Sequence, residues 1–278
     1  MKIIECPRDA MQGISDFIPT EKKVAYINSL LKVGFDTLDF GSFVSPKAIP
    51  QMRDTANVLS QLDCSNTRLL AIVVNQRGAE EACAFDRIDY LGYPFSISEI
   101  FQQRNTNKSI YQSLSLIEEL QNICDRFDKS LVVYISMAFG NPYAEYWHED
   151  IVAKWSEKLS DLDIKTIALS DTIGVSNPDN IRLLFSLLID EYPQIEWGAH
   201  LHTYLESWRE KLEAAYNSGC RRFDGAIKGY GGCPMSKDDL VGNMPTEKLL
   251  SFTQEKKIET TINTLAFESA YNKAIDIF

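Results

Sequence analysis

Short runs of apolar, often β-branched residues recur along the whole chain, and longer segments with the spacing of amphipathic helices separate them. Eight runs have the length of strands: Lys2–Cys6, Thr37–Phe40, Arg68–Val74, Tyr90–Pro94, Leu131–Ser136, Thr166–Leu169, Ile195–His202 and Arg222–Asp224. The clearest helical patterns are Thr20–Val33, Ser109–Phe127, Glu149–Leu159, Pro178–Glu191 and Leu205–Asn217. Short buried strands that alternate with helices predict a parallel sheet whose outer surface is covered by those helices.

Eight strand–helix units favour a closed (β/α)8 barrel, a TIM barrel, in a single domain over residues 1–278. We expect the barrel to occupy about residues 1–258 and an appended C-terminal helix to occupy about residues 259–278. A doubly wound open sheet is the competing architecture. It is less well supported because no GxGxxG motif follows the first strand.

The charge and the cysteines restrict the partners and the compartment that we expect. A formal net charge of -11 and a pI of about 4.8 argue against nucleic acid, which requires clustered Lys and Arg. No apolar run reaches the ~18 residues that cross a bilayer. Six cysteines without a CxxC pair are typical of reduced thiols in a cytoplasmic protein: Cys6, Cys64, Cys83, Cys124, Cys220 and Cys233.

Polar residues cluster where the predicted strands end, which is the face of a TIM barrel that carries its active site. Two of the three histidines form the pair His200-Leu201-His202. Alternate residues of a strand face the same side, so both imidazoles can converge on one ion. Asp9 adds a carboxylate and Asn243 an amide oxygen, a set that suits Mg²⁺, Mn²⁺ or Zn²⁺. The competing interpretation of the pair is two half-buried polar residues at a strand end.

Four further polar residues at the predicted rim are candidates for catalysis. The Arg8 guanidinium is suited to stabilising an enolate oxygen beside a metal, although a surface ion pair with Asp9 is the alternative. Cys233 lies in a glycine-rich segment, where a mobile loop can bring a thiol to a ligand. A buried structural thiol is the commoner state of a cysteine. Asp39 and Asp171 are carboxylates that could relay protons or cap turns.

Together these clusters resemble the hydroxymethylglutaryl-CoA lyases, a family of the DRE-TIM metallolyases. The matching segments keep the family's order: Pro7–Gln12, Ser42–Lys47, Pro50–Met52, Ser98–Phe101, Asn105, Asp171–Val175, His200–His202, Gly231–Pro234 and Gly242-Asn243. The Ser-Phe-Val-Ser-Pro-Lys stretch and the Gly-Gly-Cys-Pro loop are the specific parts. The Arg-Asp and His-x-His pairs are shared with isopropylmalate synthases and hydroxy-oxo-acid aldolases.

The resemblance implies a TIM barrel that binds a divalent metal, with Mg²⁺ or Mn²⁺ favoured over Zn²⁺, and that cleaves an acyl-CoA by a retro-aldol reaction. The implied metal ligands are Asp9, His200, His202 and Asn243. The implied substrate-binding residues are Gln12, Ser42, Lys47 and Asn105. Arg8 would stabilise the enolate, Cys233 would act as acid or base, and Asp171 and Asp39 would assist proton movement. The family's substrate would give acetyl-CoA and acetoacetate, and a homo-oligomer is compatible with the pattern.

Three departures from the family's pattern leave the acyl group open. Asp39 stands where the family usually has Glu, and Ala168 where it usually has Ser. After the histidine pair, the usual Asp-Thr-Tyr-Gly becomes Thr203-Tyr204-Leu205-Glu206. A related branched 3-hydroxyacyl thioester is therefore an alternative substrate.

Two other functions remain as alternatives. One is a condensing acyltransferase of the isopropylmalate or citramalate synthase kind, or a hydroxy-oxo-acid aldolase. The other is a non-catalytic barrel that binds acyl-CoA. The presence of Arg8, Asp171 and Cys233 argues against the second, because a binding protein requires none of these three residues.

Overall fold

The computed structural model describes residues 1–232 and 241–278, so Cys233 lies outside the described residues. The strands are β1 (Lys2–Glu5), β2 (Thr37–Ser42), β3 (Arg68–Ile72), β4 (Tyr90–Ser96), β5 (Ser130–Ser136), β6 (Thr166–Ser170), β7 (Glu196–His200), β8 (His202–Thr203), β9 (Arg222–Gly225) and β10 (Gly242–Asn243). The helices are α1 (Pro7–Gln12), α2 (Thr20–Leu31), α3 (Thr55–Ser60), α4 (Gln76–Cys83), α5 (Glu99–Thr106), α6 (Ile110–Arg126), α7 (Glu149–Asp161), α8 (Pro178–Glu191), α9 (Trp208–Asn217), α10 (Thr246–Glu255) and α11 (Thr264–Ala274).

The predicted TIM barrel is confirmed. Strands β1 to β7 and β9 pair side by side in a closed barrel, and all of their pairings are parallel. The barrel closes between β1 and β9, where Lys2 pairs with Arg222 and Glu5 with Gly225. The carboxyl ends of the eight strands therefore meet on one face, and the helices lie outside the sheet.

One predicted strand is wrong in its extent. The run Ile195–His202 was expected as a single strand, but the barrel strand β7 ends at His200. Leu201 is outside any strand, and His202 begins the two-residue strand β8. That short strand pairs antiparallel with β10, with His202 opposite Asn243. The two histidines thus belong to different sheets, because the chain leaves the barrel between them.

The C-terminal helix begins later than expected, at Thr264, and packs against α2. Asn263 caps it by accepting a hydrogen bond from the backbone N–H of Ala266. The predicted helix Leu205–Asn217 likewise begins only at Trp208. Across the described residues, none of the helices combines the length and the apolar character that a bilayer crossing needs.

Glu5, at the end of β1, connects the strand pair that closes the barrel to helix α10 through hydrogen bonds. Its side chain is fully buried at the end of β1. It accepts hydrogen bonds from the backbone N–H of Ile227, at 2.9 Å, and from the hydroxyl of Thr246, the first residue of α10. Burial raises the pKa of Glu5 from 4.5 to about 8, although these two hydrogen bonds oppose the shift.

This pKa predicts how stability depends on pH. The folded state holds the Glu5 proton more tightly than the unfolded state, so the stabilisation is complete below pH 4.5 and is lost as pH rises through about 8. In Glu5→Gln the amide oxygen can accept from the Ile227 N–H and the amide nitrogen can donate to the Thr246 hydroxyl, so the site stays hydrogen-bonded without a buried charge. We expect the free energy of unfolding, from urea titrations over this pH range, to fall less steeply with pH in the variant than in the wild type. Parallel pH profiles would contradict the buried-acid assignment.

Candidate metal centre and active-site cleft

A cleft of about 440 Å³ opens at the carboxyl ends of the barrel strands. Its polar lining includes six of the predicted site residues, which lie at or after the carboxyl ends of strands β1, β4 and β7: Arg8, Asp9, Gln12, Asn105, His200 and His202. Its apolar wall contains Ile49, Ile72, Val74, Pro94 and Phe101. The sequence therefore predicted the rim on which the cleft lies.

Asp9, His200 and His202 converge at one point of the cleft. Each offers a ligand atom, and the three atoms lie within 4.8 Å of one another. The two imidazole centroids are 5.4 Å apart, so the interruption of the strand between them does not separate the rings. One carboxylate and two imidazoles at this spacing form a group that could hold a divalent cation.

Each histidine ring is held from behind through its Nδ1 atom. His200 Nδ1 lies 3.1 Å from a carboxylate oxygen of Asp224, and His202 Nδ1 lies 3.2 Å from the carbonyl oxygen of Thr172. Because these oxygens accept, Nδ1 carries the hydrogen in both rings and Nε2 keeps its lone pair. Nε2 of His202 is buried and has no partner among the described residues. The rings therefore have the tautomer that a metal ligand requires.

A second group, made of Cys6, His200 and Asp224, also has ligand atoms within 4.8 Å of one another. Burial raises the pKa of the Cys6 thiol well above its usual range, which opposes the thiolate that a metal would need. Asp224 already accepts from His200 and does not line the cleft. The group of Asp9, His200 and His202 is the better candidate.

The electrostatics of the site favour the cation-binding protonation states of Asp9 and His202, whereas Asp224 raises the pKa of His200 against the effect of burial. Burial alone would raise the pKa of Asp9, but Arg8 and the two histidines lower it to about 2. Burial and the neighbouring His200 lower the pKa of His202 to about 4. Asp9 is thus a carboxylate and His202 a neutral imidazole near pH 7, which are the forms that bind cations.

Asn243 lies beside Asp9 and turns its amide nitrogen towards the Asp9 carboxylate. Nδ2 donates to Asp9 Oδ2 at 2.8 Å and to the carbonyl oxygen of Tyr230 at 2.9 Å. Gly231 permits this close approach, since a Cβ there would lie 2.8 Å from Asn243 Nδ2. The role of the Asn243 amide oxygen as a metal ligand stays a prediction.

Arg8 is fixed by three acidic or amide side chains. Its Nη1 donates to Asp9 at 3.0 Å and to Gln12 at 2.8 Å, and its Nε donates to both carboxylate oxygens of Asp39 at 3.1 Å. Burial raises the pKa of Asp39, although the adjacent Arg8 opposes the shift. Asp39 is buried and does not line the cleft, so its direct contact is with Arg8.

Asp171 lies behind the cleft wall, unlike its neighbour Thr172, which lines the cleft. Its carboxylate accepts hydrogen bonds from the backbone N–H of Ser176, at 3.1 Å, and from the Ser176 hydroxyl. It also forms a buried ion pair with Lys211, whose Nζ lies 2.8 Å from Oδ2. Lys211 was missed in the sequence because it lies within a helix, where a lysine usually marks a solvated face.

The predicted substrate-binding residues divide into two pairs. Gln12 and Asn105 line the cleft. Ser42 does not; its buried hydroxyl donates to the carbonyl oxygen of Ile72 at 3.3 Å and accepts from the backbone N–H of Val44 at 3.2 Å. Lys47 is exposed and also does not line the cleft. Their contact with a substrate stays a prediction.

Arg104 is a further cleft residue that the sequence analysis missed. Its guanidinium lies 5.0 Å from the centre of the Tyr143 ring, and it lines the cleft next to Asn105 on α5. The signal was its place beside Asn105, a residue that had been singled out. A cation here gives the acidic chain a positive group at the mouth of its cleft.

A buried arginine occupies the barrel interior below the histidines. The side chain of Arg222 is fully buried, and none of its three nitrogens has a hydrogen-bond partner among the described residues. Ala168 and Gly198 leave room for its aliphatic stem. Burial alone would lower the pKa of Arg222, but nearby acidic groups, above all Asp224, raise it, so that the net shift is upward. Ala168, which stands where the family usually has Ser, therefore lies in the same part of the interior as the Arg222 side chain.

Comparison with known proteins gives one consistent result. The sequence profile of the HMGL-like family matches residues 2–273. Hydroxymethylglutaryl-CoA lyase YngG of Bacillus subtilis is similar at 31% identity over 265 residues, which are 92% of this chain and 85% of that protein. The mitochondrial hydroxymethylglutaryl-CoA lyase of Mus musculus is similar at 31% identity, over 95% of this chain and 81% of its own.

A solved structure agrees with these sequence relatives. The HMG-CoA lyase of Acinetobacter baumannii, in complex with coenzyme A and 3-methylmalate, superimposes with a TM-score of 0.91 and 29% identity. The match covers 99% of this chain and 90% of that one. The likeness thus extends over the barrel and over the segments that carry the cleft.

The packing around Arg222 gives a test of the barrel interior. A Cβ at Gly198 would lie 3.1 Å from Arg222 Cδ and 3.2 Å from Ala168 Cβ. We expect Gly198→Ala to lower the free energy of unfolding by ~1–3 kcal/mol, because the interior has little room to adjust. Gly13→Ala is the control, since nothing lies within 4 Å of a Cβ there. Urea denaturation of both variants measures the effect, and equal stabilities would show that the Arg222 stem yields freely.

Proposed function

The chain belongs to the HMGL-like family, and from this membership we propose that it is a carbon–carbon lyase that cleaves hydroxymethylglutaryl-CoA to acetyl-CoA and acetoacetate. The observation that carries the proposal is the convergence of Asp9, His200 and His202 beside the fixed cation of Arg8 in one cleft. The family depends on a divalent metal, and these three side chains suit such an ion.

We propose Mg²⁺ or Mn²⁺ as the metal, with Asp9, His200, His202 and Asn243 as the residues that would hold it. The buried, unpartnered Nε2 of His202 and the low pKa of Asp9 support this fit. Zn²⁺ stays the alternative, because two imidazoles and one carboxylate also suit it. When bound, a divalent cation would polarise the oxygens of the substrate as a Lewis acid.

Cleavage requires that the C2–C3 bond break while the tertiary hydroxyl loses its proton. C3 then becomes the ketone carbon of acetoacetate, and the bonding electrons leave as the enolate of acetyl-CoA. Arg8 is suited to stabilise the enolate oxygen, because it lines the cleft and stays cationic beside Asp9 and Asp39. Its hydrogen bonds fix the guanidinium before substrate arrives, so little reorganisation is required.

Two proton transfers accompany cleavage: the substrate hydroxyl loses a proton, and the enolate gains one at C2. Asp171, with Asp39 behind it, was expected to accept the hydroxyl proton. Both carboxylates are buried behind the cleft lining and accept hydrogen bonds from Ser176 and Arg8, so transfer to either requires a relay. Cys233 is proposed to protonate the enolate at C2, and it lies outside the described residues.

Acyl-CoA recognition is proposed for the same cleft. The apolar wall formed by Ile49, Val74 and Phe101 suits a pantetheine arm, and Arg104 provides a cation for a phosphate or carboxylate. The solved relative that contains coenzyme A supports an acyl-CoA substrate. A cytoplasmic location stays a prediction, because the relatives' names include both cytoplasmic and mitochondrial enzymes. A homo-oligomer also stays a prediction.

The function is tested by incubating the purified protein with hydroxymethylglutaryl-CoA and Mg²⁺ or Mn²⁺. We expect acetoacetate to form, to require the metal, and to form faster than products from analogues with longer 3-alkyl groups. His202→Ala is the matched negative control, since it removes one proposed ligand; it should lose metal on dialysis while remaining folded. A preference for a longer analogue would reassign the acyl group, and equal metal content in both proteins would refute the ligand set.

Cys233 has a separate test, because proton delivery is distinct from metal binding. Cys233→Ser should lower kcat by ~10²–10⁴-fold, as expected for loss of a general acid or base, with a much smaller change in KM. Steady-state kinetics with hydroxymethylglutaryl-CoA separates the two constants. Near-normal kcat in the folded variant would leave protonation of the enolate to another group.

A further inference from the structure

Lys211 is a buried lysine whose ammonium group is fully hydrogen-bonded. It lies on α9, and its side chain is 3% exposed. Nζ donates to Asp171 Oδ2 at 2.8 Å, to the carbonyl oxygen of His202 at 2.9 Å and to the carbonyl oxygen of Gly174 at 3.1 Å. An ammonium has three donors, and here each has its own acceptor.

All three acceptors lie in segments that hold His202 in place. One acceptor is the backbone carbonyl oxygen of His202 itself. Asp171 and Gly174 begin and end the turn that contains Thr172, which is closed by a hydrogen bond from the Gly174 N–H to the Asp171 carbonyl oxygen at 3.1 Å. The carbonyl oxygen of Thr172 in turn accepts from His202 Nδ1. Lys211 therefore holds both the backbone of His202 and the turn that orients its ring.

His202 needs such support because it has left the barrel. His200 is the last residue of the barrel strand β7, whereas His202 lies in a two-residue strand whose partners among the described residues are Gly242 and Asn243. The following residues, from Tyr204 to Glu206, are exposed. The hydroxyl of Thr203 is buried without a partner among the described residues. This segment has little sheet structure of its own to fix the direction of the imidazole.

We propose that Lys211 is a positioning residue for the metal centre: it fixes His202 so that Nε2 faces Asp9 and His200. The inference rests on the proposed function of these three residues as metal ligands. Groups that orient a ligating histidine from behind affect metal affinity by ~10–100-fold. A lysine that served only the stability of α9 would leave that affinity unchanged in the folded protein.

Lys211→Met tests this role, because methionine keeps an unbranched stem and removes the three donors. Arg209→Met is the control on the same helix, since Arg209 makes its ion pairs with Glu213 and Glu255 at the surface. Titration of metal-stripped protein with Mn²⁺, followed by electron paramagnetic resonance of the free ion, gives the dissociation constant. Circular dichroism verifies folding at the temperature of the titration. We expect binding to weaken by ~10–100-fold in Lys211→Met and to stay unchanged in Arg209→Met.

If Lys211→Met does not fold, the double variant Lys211→Met/Asp171→Asn provides the same test. Replacing the Asp171 carboxylate by an amide avoids burying an unpaired charge, whereas the His202 carbonyl would still lack its donor, so weak Mn²⁺ binding is again expected. Long-range ¹H–¹⁵N spectra of the metal-free proteins add a second readout, because the chain has only three histidines. His202 should be the Nδ1–H tautomer in the wild type and a mixture in the variants.

The outcomes separate this inference from the proposed function. Wild-type binding within twofold of a folded Lys211 variant, with the same tautomer in both, would overturn the positioning role and leave the metal site standing. Absence of Mn²⁺ binding in the wild type would overturn the metal site itself, and the inference with it. Weaker binding with an altered tautomer supports both.

Discussion

Closure of the barrel between β1 and β9 is the constraint on which the site depends. In the closed order β9 lies between β7 and β1, so Asp9 and His200, which are far apart in the chain, are separated by a single strand. Asp224, on that intervening strand, accepts the hydrogen bond from His200. An open sheet would place β1 and β9 at opposite edges, and the three candidate ligands could not meet. The candidate metal centre therefore depends on closure as much as on the residues themselves.

Buried charge is concentrated around this centre. Arg8, which lines the cleft, pairs with the buried Asp39. Lys211 with Asp171 and Arg222 near Asp224 place two further cations beside carboxylates that do not line the cleft. Charges are costly to bury, and such pairs contribute little net stability compared with apolar packing. These pairs fix the orientation of their partners: Asp39 holds the Arg8 guanidinium that lines the cleft, and Lys211 links Asp171 to the backbone of His202.

The three departures from the family's pattern, at Asp39, Ala168 and Thr203, have different surroundings in the structure. Asp39 reaches Arg8 despite its shorter side chain and accepts hydrogen bonds from it. Ala168 faces the interior, where its small side chain, with Gly198, accommodates Arg222. Thr203 brings no carboxylate behind His202, and the tether on that side comes from Lys211. None of the three lines the cleft.

The sequence by itself determined the class of fold, the order of the strands and the rim on which the site lies, because hydrophobic periodicity and the ends of strands are local properties. It also predicted that Asp9, the histidine pair and Arg8 lie at that rim, because their residue types and spacing are local as well, and the structure brings them together in the cleft. The tertiary structure decided that His202 leaves the barrel, that Ser42 turns away from the cleft, and that Asp171 is paired with Lys211. It also decided that Arg222 fills the space beside Ala168 and Gly198. These outcomes depend on contacts between residues far apart in the chain, and only the packed barrel brings such residues together.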